Sequence, residues 1–155
     1  MAVLDLYAGS GAVGLEALSR GASDVLLVEA DSVAASVIKR NIAAVGLPGV
    51  RLVHDKVDRM LRRGPGEAAA RQLVFADPPY SMRDSEIAQA LSALAGQGWL
   101  APGALVVVER DARSAAPAWP GGYAQDRSRR YGETALWYGR AEGDTPAAAA
   151  STTGA

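Results

Sequence analysis

The sequence has 155 residues, 49% of them hydrophobic, and a formal net charge of −1. This length fits one domain with a sizeable core, and no apolar run approaches the roughly 20 residues that span a bilayer, so we expect a soluble protein without membrane contact. The absence of cysteine excludes disulfides and thiolate metal sites. The near-neutral charge excludes nucleic-acid binding through a global positive field and leaves that role to local arginine clusters.

Short apolar runs alternate with segments of helical periodicity up to residue 110. This alternation predicts strands that are each followed by a helix. The predicted strands are 2–7, 24–30, 49–54, 72–76 and 103–110; the predicted helices are 11–20, a helix from the Asp31 cap to Val45, a short helix 57–62, and a helix capped by Asp84.

The end of the chain follows a different pattern. Residues 122–132 and 133–140 lie too close in sequence for a crossover helix, so they should form an antiparallel pair. The predicted fold is therefore α/β: a doubly wound, mostly parallel sheet of seven strands that ends in an antiparallel β-hairpin, within one domain of residues 1–141. Residues 142–155 lack apolar periodicity and are predicted to be a disordered tail.

The first strand is followed by the pattern G-x-G-x-x-G, formed by Gly9, Gly11 and Gly14. Such glycines let the backbone approach a ligand that lies over a helix N-terminus. The pattern alone fits a nicotinamide or flavin dinucleotide as well as another adenosine-bearing cofactor. Asp5 discriminates between them, because a carboxylate repels a pyrophosphate but suits the ammonium and sulfonium groups of S-adenosylmethionine.

Acidic residues also follow the second and third strands. Glu29, twenty residues after Gly9, is placed to accept hydrogen bonds from ribose hydroxyls. A favourable charge at a helix N-terminus is the alternative, which Asp31 fills better. Asp55 can accept from an adenine amino group or cap the next helix, and the sequence leaves both open. His54, the single histidine, is assigned no role.

The fourth strand ends in D-P-P-Y, residues 77–80, the most specific motif of the chain. An exocyclic amino group of a nucleobase is a poor nucleophile, because its lone pair is delocalised into the ring. Acceptors directed at its N–H groups oppose that delocalisation. Asp77 and the Pro78 carbonyl, held rigid by Pro79, can provide them, and Tyr80 offers a stacking face worth about 1–3 kcal/mol. The motif therefore predicts methylation of a base amino group.

These motifs together resemble the bacterial small-subunit ribosomal RNA guanine-N2 methyltransferases over nearly all of residues 3–140. The resemblance rests on residues 3–22, V-E-A-D, I-K-R-N at 38–41, D-P-P-Y and R-R-Y-G-E-T-A-L-W-Y-G-R. It implies the Rossmann-like class I fold of S-adenosylmethionine-dependent methyltransferases and S-adenosylhomocysteine as product. It also implies a target at N2 of guanine 966 of 16S ribosomal RNA, in a small subunit or an assembly intermediate, and no metal.

The resemblance also implies roles for individual residues. The cofactor-binding set is Asp5, Tyr7, Ala8, Gly9, Ser10, Gly11, Glu29, Ala30, Asp31, Asp55, Lys56, Val57 and Asp77; the catalytic set is Asp77, Pro78, Pro79 and Tyr80; and the RNA-binding set is Arg127, Arg129 and Arg130. The lack of a signal-peptide pattern predicts the cytoplasm. No exposed apolar helix is evident in the sequence, so we expect a monomer.

Three other functions remain open at this point. A DNA adenine-N6 methyltransferase shares D-P-P-Y, a nicotinamide oxidoreductase shares the glycines, and a non-enzymatic RNA-binding module would need no cofactor. The family also carries a hairpin and an Arg-rich helix ahead of the first strand, which here begins at once. Truncation or a misassigned start accounts for this; we expect truncation, and hence weak cofactor binding and poor methylation.

Overall fold

The computed structural model describes residues 1–143, so most of the predicted tail, residues 144–155, lies outside the described residues. The elements are β1 (Ala2–Leu6), α1 (Ala12–Ser19), β2 (Asp24–Glu29), α2 (Ser32–Val45), β3 (Val50–His54), α3 (Val57–Arg63), β4 (Arg71–Ala76), α4 (Asp84–Gly96), β5 (Leu100–Asp111), β6 (Tyr123–Tyr131) and β7 (Thr134–Ala141). No helix within residues 1–143 is long and apolar enough to cross a membrane.

The seven strands form one sheet in the order β3-β2-β1-β4-β5-β7-β6. Strands β1 to β5 are parallel, β7 is antiparallel to β5, and β6 is antiparallel to β7. The predicted doubly wound sheet with a terminal hairpin is confirmed. Strand β5 is longer than predicted, because pairing with β4 already begins at Leu100 opposite Arg71 and resumes after a register shift.

The strand order reverses between β1 and β4, which are neighbours in the sheet although about 70 residues separate them in the chain. In parallel α/β sheets the crevice beyond the carboxyl ends of the strands at such a point is the usual ligand site. The glycine loop after β1 and the D-P-P-Y segment after β4 therefore lie side by side.

Alternating residues of the strands fill two apolar layers, one on each side of the sheet. On one side α1 and α2 cover residues such as Val3, Val25 and Leu27. On the other side α3 and α4 cover residues such as Leu4 and Leu6. Asp5 shares the side of Val3 and points toward α1.

Helix α1 packs very close to the sheet at Gly14. A Cβ on Gly14 would lie 3.1 Å from Val25 Cγ1 and 3.3 Å from Asp5 Oδ2, and would overlap the side chain of Leu27. The absent side chain lets the Gly14 N–H donate a hydrogen bond of 3.0 Å to Asp5 Oδ2. The third glycine of the pattern is therefore a packing glycine, not a ligand contact.

The start of α4 differs from the prediction. Arg83, not Asp84, is the N-cap residue, with an extended backbone, and Asp84 is the first residue of the helix. Glu86 Oε1 accepts hydrogen bonds from the Arg83 N–H at 3.1 Å and from Arg83 Nε at 3.2 Å. The predicted Asp31 cap of α2 is confirmed, since Asp31 Oδ2 accepts from the Ala34 N–H at 2.8 Å.

We predict that Gly14→Ala lowers the free energy of unfolding by about 1–3 kcal/mol, because the added methyl group enters a filled core. Gly96→Ala is the matched control: Gly96 is also helical, but a Cβ there meets no atom within 4 Å. The control should be neutral or slightly stabilising. Urea unfolding followed by circular dichroism measures both, and equal stability of the two variants would contradict the packing argument.

A second prediction concerns Asp5, whose pKa is raised to about 7 by burial, against the opposing hydrogen bond from Gly14. A raised folded-state pKa stabilises the fold at low pH, and this contribution is lost as the pH rises from about 4 through 7. Asp5→Asn keeps an acceptor oxygen and never ionises. The stability difference between variant and wild type should therefore grow from near zero at pH 4 to roughly 1–4 kcal/mol in favour of the variant at pH 8.

Urea unfolding at both pH values measures that difference, and Asp126→Asn, at an exposed position of β6, controls for the loss of one carboxylate. A difference that stays constant with pH would contradict the burial of a titrating Asp5.

Candidate active site

A cavity of about 660 Å³ lies beyond the carboxyl ends of β1 to β4, where the strand order reverses. Residues from the ends of all four strands line it together with residues of α3 and α4. The lining residues are Tyr7, Glu29, Ala30, Asp31, Lys56, Val57, Asp58, Arg62, Asp77, Pro79, Met82, Glu86, Gln89, Ala90 and Ala93.

The loop after β1 has an unusual backbone. Tyr7, at φ 57°, is the one residue other than glycine with a positive φ among the described residues, and Gly9 and Gly11 follow at 60° and 82°. Side-chain contacts hold the loop: Asn41 Nδ2 donates to the Ser10 carbonyl at 2.9 Å, and the Tyr7 hydroxyl lies 3.5 Å from Met82 Sδ. Burial raises the pKa of Tyr7 to about 12.

Asp5 lies beneath this loop and is not among the residues that line the large cavity. It is only 2% exposed, and its carboxyl contacts the Gly14 N–H. The reason is the alternation of β1, which turns residue 5 toward α1, while the strand end carries Tyr7 to the cavity. Asp5 supports the loop from below, and its expected contact with a cationic cofactor stays a prediction.

Glu29 ends β2 at the rim of the cavity and holds two segments of backbone. Its Oε1 accepts the Gly9 N–H at 2.7 Å, and its Oε2 accepts the Asp31 N–H at 2.9 Å. The carboxylate thereby fixes the glycine loop relative to the start of α2. Each oxygen retains a lone pair for a ligand hydroxyl.

Asp55 does not cap α3, whereas its expected contact with an adenine amino group stays a prediction. Lys56 is the N-cap of α3, and Asp55 precedes it. The Asp55 carboxylate accepts the Lys56 N–H at 2.7 Å and forms ion pairs with Arg63 at 3.3 Å and Arg59 at 3.5 Å. These contacts, the Lys56 N–H first, hold the pKa of Asp55 below its usual value. Lys56 and Val57, not Asp55, line the cavity.

A second cavity of about 220 Å³ adjoins Asp77 and Pro79 on their other side. It is lined by the D-P-P-Y segment and by the ends of β5 and β7, namely Asp77, Pro78, Pro79, Tyr80, Glu109, Arg110, Asp111 and Thr134. Tyr80 is 87% exposed, so its ring is free to meet a ligand. Asp77 and Pro79 thus form a common wall between the two cavities.

Sequence reasoning missed Glu109, which lies next to Asp77 because Val108 pairs with Ala76 in the sheet. The two carboxyl groups line the same cavity from neighbouring strands and act on each other's pKa. Burial raises the pKa of both; Arg110 and the hydrogen bond from Glu109 oppose the rise at Asp77, whereas the charge of Asp77 adds to it at Glu109. The signal that could have found Glu109 is its place at the end of a parallel strand.

The predicted RNA-binding arginines divide between the two faces of the hairpin. Arg127 lies over the ring of Tyr138, 4.8 Å from its centroid, and Arg129 shares that face, two residues further along β6. Arg130 projects from the opposite face. Strand β6 is exposed along its length after Tyr123.

The structure therefore brings eight predicted residues together in the large cavity: Tyr7, Glu29, Ala30, Asp31, Lys56, Val57, Asp77 and Pro79. Pro78 and Tyr80 line the second cavity. The loop residues Ala8 to Gly11 lie at the rim through the contact of Gly9 with Glu29. No cluster of three or more possible metal ligands occurs within residues 1–143.

Comparisons with known proteins place this chain in a family. The family model described as Conserved hypothetical protein 95 matches residues 1–140. Ribosomal RNA small subunit methyltransferase D of Escherichia coli is 32% identical over 146 residues, which cover 93% of this chain and 71% of that protein. The protein of the same name from Haemophilus influenzae is 35% identical over 109 residues, 70% of this chain and 55% of that protein.

A solved structure, that of yhhF from Escherichia coli, superposes with a TM-score of 0.80 at 32% identity and covers 90% of this chain and 75% of that one. Sequence, family model and fold agree over the residues that build both cavities. The chain belongs to the Conserved hypothetical protein 95 family, the family of the bacterial small-subunit ribosomal RNA methyltransferases D.

Proposed function

We propose that this protein transfers a methyl group from S-adenosylmethionine to N2 of guanine 966 of 16S ribosomal RNA, within the small subunit or an assembly intermediate. One observation carries the proposal: Asp77 and Pro79 separate a large cavity at the strand ends from a smaller one beside an exposed tyrosine. Donor and acceptor can therefore be held on either side of one short segment.

The large cavity fits the methyl donor. Its volume is within the range of small-molecule sites, about 300–1,000 Å³. Glu29 would accept from the ribose hydroxyls, Lys56 and Val57 would flank the adenine, and Tyr7 with the loop Ala8–Gly11 would enclose the methionine end. A Cβ on Gly9 meets no atom within 4 Å, so the loop leaves open space at its tip. When bound, S-adenosylmethionine supplies an electrophilic methyl group.

The smaller cavity fits the base. Tyr80 stacks on the flipped guanine, which must leave its helix or loop to be reached. Asp77 and the Pro78 carbonyl accept from the two N2–H groups and keep the nitrogen lone pair from delocalising into the ring. Most of the acceleration comes from this positioning. The methylated nitrogen is acidic, so Asp77 or water takes its proton, and no strong base is required.

The open face of the hairpin supports an RNA substrate. Arg129 and Glu109 lie in register, since both pair with Leu136 on β7. With neighbouring strands about 4.8 Å apart, Arg129 stands roughly 10 Å from Glu109 in the sheet and roughly 14 Å from Asp77, which lies one strand further away. Arg127 and Arg129 are thus placed to hold the phosphates of the strand whose base enters the smaller cavity.

The remaining expectations belong to the same proposal. The enzyme acts as a monomer in the cytoplasm, where ribosomal subunits are assembled, and it uses no metal. The alternative of a nicotinamide oxidoreductase is disfavoured, because the chain belongs to a methyltransferase family. Methyl transfer to a base amino group also gives the D-P-P-Y segment a role, whereas binding of a dinucleotide does not.

Variants of Asp77 and Glu29 test the proposed base-binding cavity and the proposed donor cavity separately. We predict that Asp77→Ala abolishes methyl transfer to unmethylated small subunits while the dissociation constant for S-adenosylhomocysteine changes less than about fivefold. Glu29→Gln should do the reverse and weaken S-adenosylhomocysteine binding roughly 10-fold, since it removes the charge that accepts from the ribose. Calorimetry and mass spectrometry of the RNA measure the two effects. Equal losses of binding in both variants would remove Asp77 from the catalytic role.

A further prediction tests the hairpin. Replacement of Arg127 and Arg129 by alanine should weaken binding to small subunits and reduce its dependence on salt, since each lost phosphate contact lowers the salt slope by about one unit. Arg130→Ala is the control on the same strand, because Arg130 projects from the other face. An equal loss in the control would show that the face does not matter. Binding of S-adenosylhomocysteine should be unchanged whichever of Arg127, Arg129 and Arg130 is replaced by alanine.

A further inference from the structure

Glu109 is a half-buried acid without a basic partner. No ion pair within residues 1–143 involves it. The neighbouring Arg110, which also lines the smaller cavity, forms its ion pair with Asp84 at 3.7 Å. Glu109 instead lies beside Asp77 in the lining of that cavity.

Two neighbouring carboxyl groups oppose each other's ionisation, because like charges at close range repel. Burial and the charge of Asp77 raise the pKa of Glu109, as expected for such a pair. A ligand that presents two adjacent N–H donors can hydrogen-bond both carboxylates at once and offset that repulsion. The cavity wall is therefore complementary to a donor–donor edge.

Guanine has this edge and adenine does not. The N1–H and the N2 amino group of guanine are adjacent donors, whereas adenine has a bare acceptor at N1 beside its amino group. We propose that Glu109 selects guanine by accepting the N1–H hydrogen bond while Asp77 and the Pro78 carbonyl hold the N2 amino group. This inference rests on the proposed function, and it explains a choice that D-P-P-Y by itself leaves open.

The smaller cavity has the shape for this division of roles. Asp77 ends β4 and Glu109 lies beside it on β5, so the two carboxyl groups approach one edge of a base side by side. Tyr80 is exposed at the same opening and can cover the face of the ring. Adenine in this position would direct the N1 lone pair at the Glu109 carboxylate, which is repulsive.

The test uses small subunits reconstituted with unmodified transcripts that carry either guanine or adenine at the target position. Methyl transfer to each is measured in single-turnover reactions for the wild type, Glu109→Gln and Glu109→Asp. Glu67→Gln is the control, since Glu67 is an exposed acid in the loop before β4. Affinity for S-adenosylhomocysteine is measured for every variant.

We expect the wild type and the Glu67→Gln control to methylate guanine and leave adenine unmodified. Glu109→Gln should lower the rate on guanine roughly 10- to 100-fold, the range for losing a hydrogen bond to a charged group. Its amide can donate to adenine N1, so the ratio of guanine to adenine rates should fall as well. Glu109→Asp should recover the preference for guanine at a reduced rate. S-Adenosylhomocysteine affinity should stay within twofold throughout.

The outcomes that contradict the inference differ from the outcome that contradicts the proposed function. If Glu109→Gln keeps the rate on guanine, or loses rate without any change in the ratio, Glu109 does not select the base and the inference is wrong. If the wild type binds S-adenosylhomocysteine but transfers no methyl to either substrate, the proposed function itself fails, and the inference fails with it.

Discussion

The hydrogen bond between the Gly14 N–H and Asp5 is the contact on which the rest of the site depends. It forms only because α1 approaches the sheet closely enough to exclude a Cβ. The short distance sets the path of the loop between β1 and α1, whose Gly9 N–H reaches Glu29. Glu29 in turn accepts from Asp31 at the start of α2. Two strands and two helices are thus linked through one chain of buried and half-buried polar contacts.

The positions of the charged side chains in this molecule matter more for its proposed function than the net charge does. The wall shared by the two cavities is acidic, and an acidic wall accepts the N–H groups of a base but repels a phosphate. The arginines that can meet phosphates lie three strands away, about 14 Å, on the open face of the hairpin. Under the proposed function this separation orients the RNA, because only the base can enter while the backbone stays outside. A chain with a net charge near zero can therefore still bind RNA in a defined direction.

The sequence predicted the features that depend on local patterns. Alternating apolar runs identified the strands, the short spacing of the last two identified the hairpin, and the positions after strands identified the glycine loop, Glu29 and D-P-P-Y.

The features that the sequence could not predict depend on partners distant in the chain. The hydrogen bond of Asp5 with Gly14 was not predicted, because the sequence does not tell which side of β1 faces α1. Glu109 was missed because its meaning comes from the register of β5 with β4, and nothing near residue 109 encodes that register. The cap of α4 was misplaced by one residue, because the extended N-cap residue is Arg83, whose N–H is bound by Glu86, and Asp84 is already helical.

The order of the strands also governs when the protein can become active during synthesis. Strand β7 lies between β5 and β6, although it is made after both. Until β7 leaves the ribosome, β6 has no neighbour to pair with, and the face that carries Arg127 and Arg129 does not exist. The parallel strands β1 to β5, and with them the large cavity, can assemble earlier from chain already made. The surface proposed to meet the RNA is consequently the last part of the site that the growing chain can form, well after the pocket proposed for the methyl donor.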